Sequence, residues 1–187
     1  NNAVQLKENG NLVRGTKNNG NILGGAAEGG RVQEIAPDGS VVWDFIYSTD
    51  STLSHHDLTL VGDNVLITAW EVKTAAEVSA AGYNTNSDKW PTHFIELEDN
   101  GQGGATIVWE WHIWDHLIQD IDPDLPNYGV ISEHPELQDI NYGSAGSTGG
   151  PSGANGDWKH FNAVAYNEEL DQIALSSRFH DEIYIID

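Results

Sequence analysis

His55-His-Asp-Leu-Thr-Leu-Val61, followed after Gly62-Asp63 by Asn64-Val-Leu-Ile-Thr68, is echoed later in the chain by His160-Phe-Asn-Ala-Val-Ala-Tyr166 and Gln172-Ile-Ala-Leu-Ser176. Each half is a short run rich in β-formers, and turn residues separate the halves, so the unit reads as a β-hairpin used twice. A second echo relates Gly39-Ser-Val-Val-Trp-Asp-Phe45 to Ala105-Thr-Ile-Val-Trp-Glu-Trp111. Internal repeats of this size indicate propeller blades or another solenoid-like array.

Outward from the first hairpin, residues 57–61, 64–70, 92–98 and 105–111 read as the four strands of one complete blade, with 73–90 as an insertion on it. The predicted class is therefore all-β, an incomplete β-propeller of about three blades in a single domain, 1–187. Its parts are a blade at 1–50, a blade at 51–111, a helix and loop insertion at 112–156 and a partial blade at 157–187. Two blades and a fraction do not close a ring of roughly 4–8, which predicts a fragment of a longer protein. Trp111 to Gln119 reads as a short helix, and 143–156 as a Gly/Ser-rich loop.

Composition narrows the function classes. The 187 residues carry 8 Lys plus Arg against 29 Asp plus Glu, a net charge of -21. That field repels nucleic acid and anionic membrane surfaces. There is no cysteine, hence no disulfide framework and no thiolate ligand or nucleophile. No apolar run approaches the ~20 residues of a membrane span.

Several motifs fall short of the chemistry they suggest. His112 and His116 are four apart and would share a helix face, but Ile113 stands where a zincin needs its Glu base, so a Trp/His-lined packing helix is expected and no metal. Asp120, Asp122 and Asp124 alternate as in a calcium loop, yet Leu125 and Ile131 occupy the positions that an EF-hand gives to Gly and Glu. An EF-hand is excluded, and weak calcium binding by another geometry is left open beside a plain acidic loop. No Gly-rich phosphate cradle is present, which leaves a nucleotide without a site.

His160, Asn162 and Arg178 form the more informative set. Arg178 ends the run from Ile173, and the hairpin with the strand starting at Asn162 brings the three together. A guanidinium fork, an amide and a protonated imidazole make an anion-binding group suited to a tetrahedral sulfate or phosphate ester. The plain alternative pairs Arg178 with an acid such as Asp181 and leaves the histidines structural. Strand starts at the innermost blade position line a propeller's channel, and both here carry histidine, His55-His56 and His160, which favours the site.

At these residues the sequence resembles the bacterial arylsulfotransferase family, six-bladed propellers that use aryl sulfates as donors. The match is most specific over 157–187: the family's His-x-Asn falls on His160 and Asn162, and its strand-terminal Ser-Ser-Arg on Ser176, Ser177 and Arg178. Val108 to His116, Asn127-Tyr128 and His134 to Tyr142 also resemble a bacterial branch of the family. The resemblance implies a periplasmic or secreted enzyme that moves a sulfuryl group from an aryl sulfate to a phenol through sulfohistidine, without a cofactor. It places the upstream active-site histidine at His55 or His56. The repeat alignment sets His55 opposite His160, and a slip of one residue favours His56. The family's nucleophilic histidine lies further toward the C-terminus than Arg178 and is expected outside this chain. Two rival classes stand beside this one, a non-catalytic propeller recognition module and a calcium-dependent propeller hydrolase. The latter needs inward carboxylates that the inner strands do not show.

Overall fold

The computed structural model describes residues 3–84, 86–143 and 156–187. The Gly/Ser-rich stretch expected as a loop lies outside the described residues except at its ends, Gly143 and Gly156. The chain is all-β, with thirteen strands in four sheets among the described residues.

Strands β1 (Val4–Leu6), β2 (Leu12–Lys17), β3 (Gly30–Ile35) and β4 (Val41–Ile46) form an antiparallel sheet in chain order. Strands β5 (Thr52–Val61), β6 (Asn64–Glu71), β7 (Thr92–Asp99) and β8 (Ala105–His112) form a second of the same kind. Two short strands, β9 (Leu117–Ile118) and β10 (Gln138–Asp139), pair in parallel. The last sheet is β11 (Phe161–Asn167), β12 (Gln172–Ser177) and β13 (Glu182–Ile186), again antiparallel and in order. Up-and-down order follows from the turn chemistry. Gly39, for instance, sits at φ +88 and closes its turn by donating its N–H to the Ala36 carbonyl at 2.9 Å, a conformation that a Cβ disfavours.

The β5–β8 sheet is buried on both faces, which explains why Val65 to Trp70 is a nearly continuous apolar run rather than an alternating one. Leu58, Val65, Ile67, Ile95 and Leu97 pack with Val13, Val32 and Trp43 of the first sheet. Leu66 and Phe94 point the other way, into a cluster with Phe161, Val164 and Leu175 of the last sheet. One sheet is thus held between two others, and β5 and β11 are tied directly by Val164 N–H donating to Asp57 Oδ2 at 3.0 Å.

The structure departs from the expected helix at 111–119. β8 continues through His112, and only a four-residue 3₁₀ turn, Ile113–His116, follows before β9. His112 therefore ends a strand, and the two histidines share no helix face. Pairing of Trp111 with Phe94 and His112 with His93 in the ladder outweighs local helical preference. The one α-helix among the described residues, α1 (Ala75–Ala80), lies in the β6–β7 insertion, capped by Thr74 and Glu77 in a reciprocal box. It buries Val78. No helix among the described residues is long and apolar enough to cross a membrane.

Two lysines are buried in this acidic chain. Lys89 donates to the Ile140 carbonyl at 3.0 Å and lies over the rings of Tyr83 and Trp158, at 3.7 and 4.3 Å. Lys159 lies 2.7 Å from His180 Nδ1 and 4.8 Å from the Trp158 ring. Burial, reinforced for Lys89 by the charge of Lys159, pushes both ammonium groups down to about 7. The unfolded chain, with lysines near about 10.4, binds more protons than the folded one between those values, so stability rises with pH there and falls as pH drops toward 7. Urea midpoints measured from pH 7 to 9 are expected to climb, and Lys89→Met should remove roughly half of that slope. An unchanged slope in the variant would refute this account of Lys89.

Candidate functional site

The site grows from two irregularities in the ladders. In β5, Ser54 pairs with Ala69 and Leu58 with Ile67, so His55, His56 and Asp57 all face the single residue Thr68. In β11, Phe161 pairs with Ser177 and Ala163 with Ser176, leaving Asn162 as an extra residue. Bulges of this kind re-aim side chains out of the regular alternation.

The two are built alike. His56 and His160 both sit at φ 50, a left-handed conformation that costs a non-glycine residue on the order of 1–3 kcal/mol and persists only where the surroundings impose it. The carbonyl just before each histidine accepts from a buried hydroxyl on the neighbouring strand, Thr68 to His55 and Ser177 to Lys159. His56, not His55, is therefore the structural counterpart of His160. Alignment of the sequence repeat misses this by one residue because β11 carries one residue more between its histidine and the point where the ladder resumes.

Burial separates the neighbours further. His55 is 3% exposed and stacks on Trp70 at 4.1 Å, with its Nδ1 2.9 Å from that of His56. His56 is half-buried and meets His160 edge-on, with centroids 4.5 Å apart. Burial, with the nearby His160 and the Arg178 charge adding to it, pushes His56 down to about 4. Burial and the neighbouring imidazoles hold His55 well below the usual histidine range. Both imidazoles are neutral near pH 7.

His160 is oriented from behind by Asp157, a fully buried carboxylate. Asp157 Oδ2 lies 2.5 Å from His160 Nδ1, and Oδ1 accepts the Trp70 indole N–H at 3.0 Å. A carboxylate accepts, so the shared proton sits on Nδ1 and the opposite nitrogen, Nε2, is the one available for chemistry. Asp157 is itself placed by a parallel bridge to Trp90, whose N–H donates to the Gly156 carbonyl at 2.6 Å. A Cβ on Gly156 would lie 2.5 Å from the Trp90 ring, so that backbone approach requires glycine.

Arg178 follows directly on β12, and its N–H donates to the His160 carbonyl at 3.2 Å. Arg178 and Asn162 are both exposed. Lys7, Lys17, Arg31 and Lys73 pair with Glu34, Glu28, Asp44 and Glu71, and Arg14 donates to the Gln33 side chain at 2.8 Å. Arg178 has no ion pair among the described residues, Asp181 included. A guanidinium with no ion pair among the described residues, on a backbone bonded to that of His160, is suited to taking an anion in a chain of net charge -21.

The remaining expectations resolve differently. Asp120, Asp122 and Asp124 are exposed and converge on no shared point among the described residues. The buried Gln119 side chain organises that turn instead, accepting from the Ile121 and Asp122 N–H groups. His180 is buried against Lys159 and Tyr142, away from the His56–His160 pair. A cavity of about 510 Å³ opens beside Tyr142, Lys159 and Tyr184 and touches none of His56, His160 and Arg178. Sequence reasoning gave no role to Asp157, Thr68, Ser177 or Trp70. Asp157, three residues before His160, is the one a search for a histidine-orienting acid would find.

Compared with known families, the sequence matches the one described as Arylsulfotransferase (ASST), over residues 3–187. The chain belongs to this family. No curated protein matches the sequence. In this arylsulfotransferase family member the two bulges bring the His56 and His160 rings together, and Arg178 follows the strand paired with one of them.

Two outcomes are expected. In Asp157→Asn, ¹⁵N NMR should show the His160 proton leaving Nδ1, whereas a retained Nδ1–H tautomer would mean that Asp157 does not set it. The unfolded chain protonates its histidines near about 6.5, while His56 and His180 are held down to about 4. Their neutral forms stabilise the fold above pH 6.5, and that contribution is lost as pH falls toward 4. Urea midpoints should start to drop below about pH 6.5, and a flat response down to pH 4.5 would contradict it.

Proposed function

We propose that this chain supplies the sulfuryl-binding part of an aryl-sulfate sulfotransferase, which moves a sulfuryl group from an aryl sulfate to a phenol without a nucleotide. The single observation that carries the reading is Arg178, exposed and without an ion pair among the described residues of so acidic a chain, on the hairpin that follows His160 and carries Asn162, in a member of the arylsulfotransferase family. The sheets are read as successive blades of a propeller, with the bulged segments of β5 and β11 facing its channel, and the protein acts in the periplasm or outside the cell.

In the first step an imidazole nitrogen forms a bond to sulfur while the bond from sulfur to the aryl oxygen breaks, and the phenolate takes up a proton. In the second, the acceptor phenol loses its proton, its oxygen bonds to sulfur, and the sulfohistidine bond breaks. Covalent catalysis of this kind divides one difficult transfer into two easier ones. The attacking imidazole is assigned to a histidine further toward the C-terminus than Arg178 and outside these residues, as the family resemblance implies, which leaves His160 to the recognition of the sulfuryl oxygens.

Charge in such a transfer gathers on the peripheral sulfuryl oxygens and the leaving phenolate. Arg178 and Asn162 donate to those oxygens. His160, backed by the Asp157 carboxylate, does so once its Nε2 carries a proton. His56, neutral at pH 7, serves as general base toward the acceptor phenol, worth about 10²–10⁴-fold, while the leaving phenolate of the first step takes its proton from solvent. His55 sits behind it as a hydrogen-bonded support rather than a group that touches substrate.

The test is release of a chromogenic phenol from an aryl sulfate by the full-length protein, with and without a phenol acceptor. Arg178→Ala and His160→Ala should each lower acceptor-dependent kcat by about 10²–10³-fold, and His56→Ala by a comparable factor, while His55→Phe keeps most of it. No phenol release by the folded parent across a broad donor panel would turn the reading toward a recognition module.

A further inference from the structure

Glu71, His93 and His112 meet at the adjoining ends of three neighbouring strands. β6 ends at Glu71, β8 ends at His112, and His93, the second residue of β7, is paired with His112 on one side and Ala69 on the other. One ligand-capable atom from each lies within 4.8 Å of the other two. His112 Nδ1 is 3.1 Å from Glu71 Oε1, and the two imidazole rings lie parallel with centroids 4.8 Å apart.

The outer nitrogens face polar neighbours. His93 Nε2 is 2.8 Å from the Tyr47 hydroxyl, and His112 Nε2 is 3.5 Å from Glu110 Oε2. The inner nitrogen of His93, Nδ1, is buried and has no hydrogen-bond partner, in a residue that is 0% exposed. A buried polar atom left in this state costs free energy and calls for an explanation. Partners on the outer nitrogen that leave the inner one free are the usual supports of metal-binding imidazoles.

We propose that Glu71, His93 and His112 bind a divalent transition-metal ion of the zinc type. Two imidazole nitrogens and one carboxylate oxygen suit zinc with a water in the fourth position, whereas calcium and magnesium ask for oxygen ligands throughout. The ion takes the place of the proton between His112 Nδ1 and Glu71 Oε1, the His112 proton moves to Nε2 beside Glu110, and His93 Nδ1 gains its missing partner. The rings must turn out of their stack to converge. Lys73 holds the other Glu71 oxygen, Oε2, at 2.8 Å, so Glu71 binds through one oxygen. The ion would pin the ends of β6, β7 and β8 behind Trp70 and His55. It takes no part in the sulfuryl transfer proposed above and stands or falls apart from it.

Chelator-treated chain is titrated with zinc by calorimetry and with cobalt by visible absorption. One ion per chain is expected, with the cobalt bands of a low-coordinate nitrogen and oxygen site and a raised unfolding temperature. His93→Gln and His112→Gln should each weaken binding at least tenfold, and Tyr47→Phe, which keeps every ligand, by about 10–100-fold. His134→Gln, at a partly exposed histidine paired with Glu136, should bind like the parent. If His93→Gln fails to fold, His112→Gln at the strand end decides the matter. Absence of stoichiometric binding, or parental affinity in His112→Gln, would overturn the proposal.

Discussion

The buried carboxylate of Asp157 joins what the chain leaves far apart. It accepts from Trp70 at the end of β6 and from His160 at the start of β11, so one side chain fixes a tryptophan of one sheet and a histidine of another. An ionised group in the core is tolerated only when its lone pairs are satisfied, and here the partners are the very groups that need placing. Trp70 in turn stacks on His55, which bonds to His56. The order of the imidazole cluster therefore traces back to one acid, and that acid traces back to a glycine that lets the backbone close on Trp90.

A division of labour runs through the three stacked sheets. Apolar side chains on both faces of β6 supply the cohesion between layers, while polar contacts supply the aim. Asp57 bonding Val164 N–H sets the height of one strand start against the other, and Thr68 and Ser177 hold the carbonyls that force two histidines into the left-handed region. Hydrophobic burial is non-directional, so burial alone would bring the sheets together without bringing His56 to His160.

How far the sequence could be read follows from which physics is local. Strand runs and turns at Asp38-Gly39 and Gly62-Asp63 are local, and they located the hairpins. The likeness of the two strand starts was also legible, because it is written in residue types. The register was not, since a bulge is fixed by pairing with another strand, and the histidine alignment slipped by one residue for that reason. Trp111 to Gln119 looked helical until the ladder with β7 extended β8 through His112. The Thr74 and Glu77 capping box was visible and marks the one α-helix among the described residues, within a segment read only as an insertion. Asp157 was in plain view beside His160, but its burial, which gives it its role, depends on Trp70 and Trp90 from distant parts of the chain.

The bulges also bear on how such a surface can change over evolutionary time. A residue inside a regular ladder is constrained twice, by its cross-strand neighbour and by the layer beneath it. Asn162 is excused from the first constraint because it stands opposite no partner, and His55, His56 and Asp57 share one. Substitution at the exposed Asn162 alters what that surface presents while the paired residues keep their register and their burial. The scaffold can thus stay constant while the unpaired residue of the β11 bulge varies, and stabilising changes in the ladders can accumulate apart from it.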